Sequence, residues 1–103
     1  MAYDNNAVFK ALSVPSRRSI VERLSSRSMT VREITDGMSI SQPAVSQHLD
    51  QLRRAGLVSV EGRGASNVYS IDPQGLGVIR AWLDRYWSQA LDNYARLFQP
   101  KGE

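Results

Sequence analysis

The sequence predicts a mainly α fold with one small β-hairpin: four short helices, two strands and a long last helix. Three observations carry that prediction. Apolar residues recur every three or four positions over most of the 103 residues, the period of helices with one buried stripe. The period breaks once, over residues 57–71, where β-branched and aromatic residues flank Gly62-Arg63-Gly64-Ala65 as strands flank a turn. A polar-faced helix also follows a shorter helix after a tight break, which is the spacing of a helix-turn-helix.

Each element has a local reason. Asp4 can cap a first helix running to about Leu12, with Val8, Phe9 and Leu12 inward. Pro15 suits the first position of a second helix through Ser25, with Ile20, Val21 and Leu24 inward. Thr30 and Glu33 fit a capping box that opens a third helix, where Val31, Ile34 and Met38 keep core spacing before a break at Gly37 to Ser39. The fourth helix starts at Ser41 or Gln42. On a helical wheel Val45, Leu49 and Leu52 share one face, Gly56 stands just past them as a stop, and Pro43, Gln47, Asp50 and Arg54 lie opposite. Leu57 to Glu61 and Ser66 to Ile71 read as the strands of the hairpin. Asp72 and Pro73 open the final helix, in which Leu76, Ile79, Leu83, Tyr86 or Trp87, Ala90, Tyr94 and Leu97 recur to about Phe98. At its ordinary rise that helix is about 33 Å long. Trp82, Trp87 and Phe98 give it more apolar surface than one small domain covers, so part of it reads as a face for a second copy.

Size allows one domain with a single modest core, spanning residues 1–103. The absence of cysteine removes disulfides, thiol nucleophiles and thiolate metal sites. The first ten residues have neither a basic nor an apolar signal region, and no stretch approaches the ~18 apolar residues of a membrane span. The expected location is the cytoplasm, away from any membrane. The net charge of +3 is weak, but its distribution is informative. Residues 1–38 hold six basic and four acidic side chains, residues 39–71 three and two, and residues 72–103 four and four. The basic excess therefore lies in the first two thirds, enough for a selective nucleic-acid binder and too little for a coating protein.

The fourth helix carries the chemistry. Gln42, Ser46 and Gln47 offer amides and a hydroxyl of the kind that bond base edges in a major groove, and Gln47 can pair with adenine N6 and N7. Pro43 and Ala44 can touch a thymine methyl, although proline also suits a first helical turn. Arg17, Arg18, Arg53, Arg54 and Arg63 are the candidate phosphate contacts, with Arg54 on the helix and Arg63 at the hairpin tip the best placed. The backbone amides at Thr30 and Val31 are a further candidate. His48 lies nearer the core stripe than the outer face and reads as a packed or bridging residue. Ser46, His48 and Asp50 are the residue types of a catalytic triad, but residues two apart on a helix point about 160° from each other. No imidazole there can bond both partners, and with no phosphate-binding glycine loop the chain is not expected to be an enzyme.

Several stretches match one family together. Residues 8–24, V-F-K-A-L-S-V-P-S-R-R-S-I-V-E-R-L, residues 41–58, S-Q-P-A-V-S-Q-H-L-D-Q-L-R-R-A-G-L-V, and residues 68–73, V-Y-S-I-D-P, resemble the opening, the recognition helix and the second wing strand of the ArsR/SmtB repressors. The resemblance covers nearly the whole chain and implies a homodimeric winged helix-turn-helix. Its helix-turn-helix would span about 30–55, its wing about 57–71, and its dimer contacts about 4–12 and 74–98. It implies that Gln42, Pro43, Ser46 and Gln47 face the bases, and that Val8, Phe9, Leu83, Tyr86, Trp87 and Tyr94 meet the second copy. Two-fold symmetry would set half-sites of a palindromic operator in double-stranded DNA about 34 Å apart, or a multiple of that.

Departures from the family narrow the function. Where its metal sensors carry a C-x-C pair this chain has Thr30, Val31 and Arg32, and where others bind zinc across the last helices it has Pro73, Gly75, Tyr86 and Gln89. None of these is a good metal ligand, so no metal or other cofactor is expected. Val14 replaces the family's capping Asp before Pro15, a loss of about 1 kcal/mol, and Arg63 is the wing's only basic residue. The expected function is a sequence-specific transcriptional repressor that does not respond to metal, with room for an unidentified small-molecule effector between the aromatic last helices. The alternative is a winged-helix module that binds protein rather than specific DNA.

Overall fold

In the computed structural model, which describes residues 4–98, the chain runs through α1 (Asn5–Leu12), α2 (Pro15–Leu24), β1 (Met29–Thr30), α3 (Val31–Asp36), α4 (Gln42–Arg54), β2 (Val58–Arg63), β3 (Ser66–Ile71) and α5 (Pro73–Arg96). This is the expected winged helix-turn-helix with one added strand. Two residues are too few for a period in the sequence, so β1 was not foreseen. Its partners lie far along the chain: Met29 pairs with Tyr69 and Thr30 with Val68, antiparallel, giving a sheet of order β1-β3-β2.

The caps act as their sequences suggest. The Asp4 carboxylate accepts from the Asn6 amide at 2.9 Å. Thr30 and Glu33 form the capping box, with the Glu33 amide donating to Thr30 Oγ1 at 3.2 Å and the Thr30 amide to Glu33 Oε1 at 2.9 Å. At the head of α2, Val14 makes no side-chain cap. The end of α4 is closed by Gly56, whose φ of 81° only glycine adopts without strain. There the Leu57 amide donates back to Leu52 and the Gly56 amide to Arg53, a Schellman pair. The hairpin is tighter than expected, since Ser66 pairs with Arg63 and only Gly64 and Ala65 are left to turn. Gly64 at φ 62° supplies the positive dihedral that such a two-residue turn requires.

One apolar cluster holds the domain together. Val8, Ile20, Ile34, Val45, Leu49, Leu52 and Leu57 have no exposed surface, and α5 adds Leu76, Val78 and Ile79 at its margin. Burying each large aliphatic side chain contributes about 1.5–3 kcal/mol. Val8 therefore needs correction as a dimer contact: it points wholly into its own protomer's core, leaving Phe9 as the exposed large apolar residue of α1. Phe9 packs edge-on against Trp82, ring centres 5.5 Å apart, which ties α1 to α5.

Two glycines allow close approach instead of special dihedrals. A Cβ on Gly75 would overlap the Gly56 carbonyl, so the first turn of α5 rests on the end of α4 backbone to backbone. A Cβ on Gly37 would overlap the guanidinium of Arg23, which passes beneath the turn and donates to the Glu33 carbonyl at 3.1 Å. Beyond its first turns α5 stands away from the domain. The radius of gyration is 18.2 Å, against about 13 Å for a compact chain of this length.

Candidate nucleic-acid interface

Helix α4 presents a largely polar outer face because its other face is fully committed to the core. Val45, Leu49 and Leu52 are buried, while Gln42, Pro43, Ser46 and Gln47 are exposed together along its first two turns. Ser41 fixes the start, its Oγ accepting from the Ala44 amide at 3.3 Å. The four candidate base contacts thus form one outward polar surface.

The candidate phosphate contacts are less uniform. Arg53 and Arg54 both hold Asp50, at 3.0 and 2.8 Å. The hydrogen bonds from Arg53 and then Arg54 keep the Asp50 carboxyl below its ordinary range. Together the three groups carry one net positive charge. Arg63 meets Glu61, two residues earlier on β2, at 3.2 Å beside the wing tip. Exposed pairs of this kind are weak, so each of the three arginines can be drawn to phosphate, but none is unencumbered. Arg18 turns back to donate to the Leu12 carbonyl at 2.7 Å. Arg17 lies against α4, where its Nε donates to His48 Nδ1 at 3.3 Å. His48 is half-buried and bridges helices, as its place on the wheel suggests. Burial first, and the Arg17 charge second, lower its pKa, which keeps the ring neutral with its proton on Nε2.

The capping box engages Thr30's amide and hydroxyl oxygen. Glu33 is held ionised chiefly by the Thr30 amide and next by Arg27, 3.1 Å away. Around Thr30 the structure also collects residues that the sequence did not mark. Thr30, Val31 and Arg32 from the start of α3, Gln42 from α4, and Ser66 and Asn67 from β3 line an open cleft of about 270 Å³. The β1–β3 pairing is what brings the wing beside α3. No pattern along the chain signals that pairing, so the sequence alone does not place Arg32, Ser66 and Asn67 beside α4.

Comparisons with known proteins agree with this geometry. The model of the family described as bacterial regulatory protein, arsR family, matches residues 14–60. The HTH-type transcriptional regulator Rv2034 of Mycobacterium tuberculosis is 43% identical over 95 residues, 92% of this chain and 89% of that protein. The transcriptional repressor SdpR of Bacillus subtilis is 39% identical over 67 residues, 65% of this chain and 74% of its own. Among solved structures, an ArsR family transcriptional regulator superposes with a TM-score of 0.75 at 26% identity, covering 86% of this chain and 95% of that one. Rv0081 of Mycobacterium tuberculosis superposes with a TM-score of 0.62 at 35% identity, covering 82% and 89%.

Proposed function

Because the chain belongs to the ArsR family of bacterial regulatory proteins, DNA-binding transcriptional regulators rather than enzymes, we propose that it is a homodimeric repressor of a palindromic operator, acting in the cytoplasm without a metal. The observation that carries this reading is the polar outer face of α4, with Gln42, Ser46 and Gln47 exposed over a fully buried stripe. Amide and hydroxyl groups so placed suit base edges in the major groove, and phosphate contacts fix the register.

Dimerisation is supported by what α5 leaves uncovered. Phe9, Leu83, Tyr86, Trp87 and Tyr94 are exposed on α1 and α5, and Trp82, Leu91, Leu97 and Phe98 continue the same apolar surface. A lone protomer exposing so many large apolar side chains would self-associate. The repressor assignment follows the name of SdpR. Independence from metal follows from ligand chemistry, since Thr30, Val31 and Arg32 hold no thiolate and Pro73, Gly75, Tyr86 and Gln89 supply no good donor.

The test is fluorescence anisotropy of the protein on the duplex upstream of its own gene and on a scrambled duplex, with and without zinc. A preference of ~10³-fold or more for the upstream duplex, unchanged by zinc, is the expected result. Equal binding to both duplexes would place the operator elsewhere, and Gln47→Ala with Arg54→Ala leaving a selected site fully bound would remove α4 from the groove.

A further inference from the structure

Four arginines around the reading face already hold a carboxylate: Arg27 pairs with Glu33, Arg53 and Arg54 with Asp50, and Arg63 with Glu61. Arg32 differs. It is exposed and makes no ion pair among the described residues, although Asp36 follows one helical turn later. Apart from Val31, the residues that share its cleft carry polar side chains. The cleft that it lines is walled on one side by Gln42, the first residue of α4, and on the other by Ser66 and Asn67 of the wing.

With α4 in a major groove, whatever lies beside its first turn faces the sugar-phosphate ridge that bounds the groove. A cleft with hydrogen-bonding side chains on both walls suits that ridge, and an arginine without an internal carboxylate gives up no existing pair to meet it. We propose that one strand's backbone passes through the cleft between the start of α4 and β3, and that Arg32 is the principal phosphate contact of this face. Ser66 and Asn67 supply neutral hydrogen bonds to the same strand. The proposal rests on α4 being the reading helix. It reassigns the main electrostatic contact from Arg54 and Arg63, which the sequence favours, to a residue at the start of α3.

The experiment compares wild type, Arg32→Gln and Arg63→Gln on a selected operator and on a scrambled duplex over a range of salt concentrations. Each phosphate neutralised contributes about −0.9 to the slope of log affinity against log salt. Arg32→Gln should flatten the slope by roughly 1.8 for a two-fold complex, weaken both duplexes in similar proportion and leave the melting temperature unchanged, while Arg63→Gln changes the slope by less than half as much. A neutral methylphosphonate at one ridge position should weaken wild type roughly tenfold and Arg32→Gln less than twofold. An unchanged slope in Arg32→Gln would overturn the proposal. Failure of the α4 reading is separable, because it would show as equal wild-type affinity for the two duplexes whatever the slopes.

Discussion

Arg17 of α2 donates from Nε to Nδ1 of His48 on α4 at 3.3 Å, across 31 positions of sequence. The bond joins a helix of the scaffold to the helix proposed to read DNA, on the flank of α4 between its buried stripe and its outer face. It requires a neutral imidazole, since a protonated ring has no lone pair on Nδ1 to offer.

Acid should therefore weaken this joint. The His48 pKa is lowered in the folded protein from its ordinary 6.5, so the unfolded chain takes up a proton first as the pH falls. Its contribution is fully present above about pH 6.5 and declines as the pH drops towards the folded value, where the decline ends. The carboxylates of Glu33 and Asp50 are also lowered, from 4.5 and 3.8, and their loss belongs to a more acidic range. Thermal melts from pH 7.5 downwards should show an early decrease in wild type. His48→Gln should lack that step and keep the later one, and an identical profile in the two proteins would refute the assignment.

Gly37 should resist replacement only while Arg23 is present. Its φ of −96° is open to any residue, and the guanidinium of Arg23 is what occupies the space of a side chain. Gly37→Ala is expected to push the guanidinium aside and lose its hydrogen bond to the Glu33 carbonyl, about 0.5–1.5 kcal/mol in urea denaturation. In an Arg23→Ala background most of that penalty should vanish. Additive losses would mean that the turn itself demands glycine.

Asp50→Asn should strengthen DNA binding while relaxing its selectivity. The substitution removes the carboxylate held by both Arg53 and Arg54, and so raises the positive charge along α4. Affinity for operator and scrambled duplex should both rise, with a steeper salt dependence, because the added attraction is to phosphate and carries no sequence information. Anisotropy at two salt concentrations decides this, and a loss of affinity would give Asp50 a direct part in recognition.

Charge placed on the long helix should separate the copies. Trp87 is 55% exposed and Tyr94 62% on the protomer, so Trp87→Glu with Tyr94→Glu disturbs no core packing. Sedimentation should show a monomer with an unchanged helical spectrum and at least tenfold weaker operator binding, as expected when two half-sites are no longer linked. A dimer that persists in this variant would move the interface off α5.

The helices were legible because each is written locally. Asp4, Thr30, Ser41 and Asp72 cap where they stand, and Val45, Leu49 and Leu52 mark the buried side of α4 by spacing alone. The exposed set Gln42, Ser46 and Gln47 follows from the same wheel. Contacts between distant residues were not legible. Arg23 reaches Gly37 and Arg32 shares a cleft with the wing only because the fold brings them together, and two-residue β1 leaves no period to read. Val8 shows the limit of a wheel: it predicts an inward side, but not whether the apolar surface there meets its own chain or another. Likewise the wheel exposes Asp50 and Arg54 without revealing that they neutralise each other.

The meeting of Gly56 and Gly75 bears on what spacing of half-sites the protein tolerates. The end of α4 and the start of α5 touch through main chain, and the Asp72 amide also donates to the Leu57 carbonyl at 2.9 Å. No long side chain lies there to swivel, and no linker to stretch. If two copies join along α5, the bearing of one α4 relative to the other is set like the jaws of a fixed caliper. Each base pair added between half-sites turns the second one by about 34–36° around the duplex. A rigid joint gives that rotation nowhere to go, so one inserted base pair between the half-sites should abolish tight binding, whereas a full helical turn restores the facing.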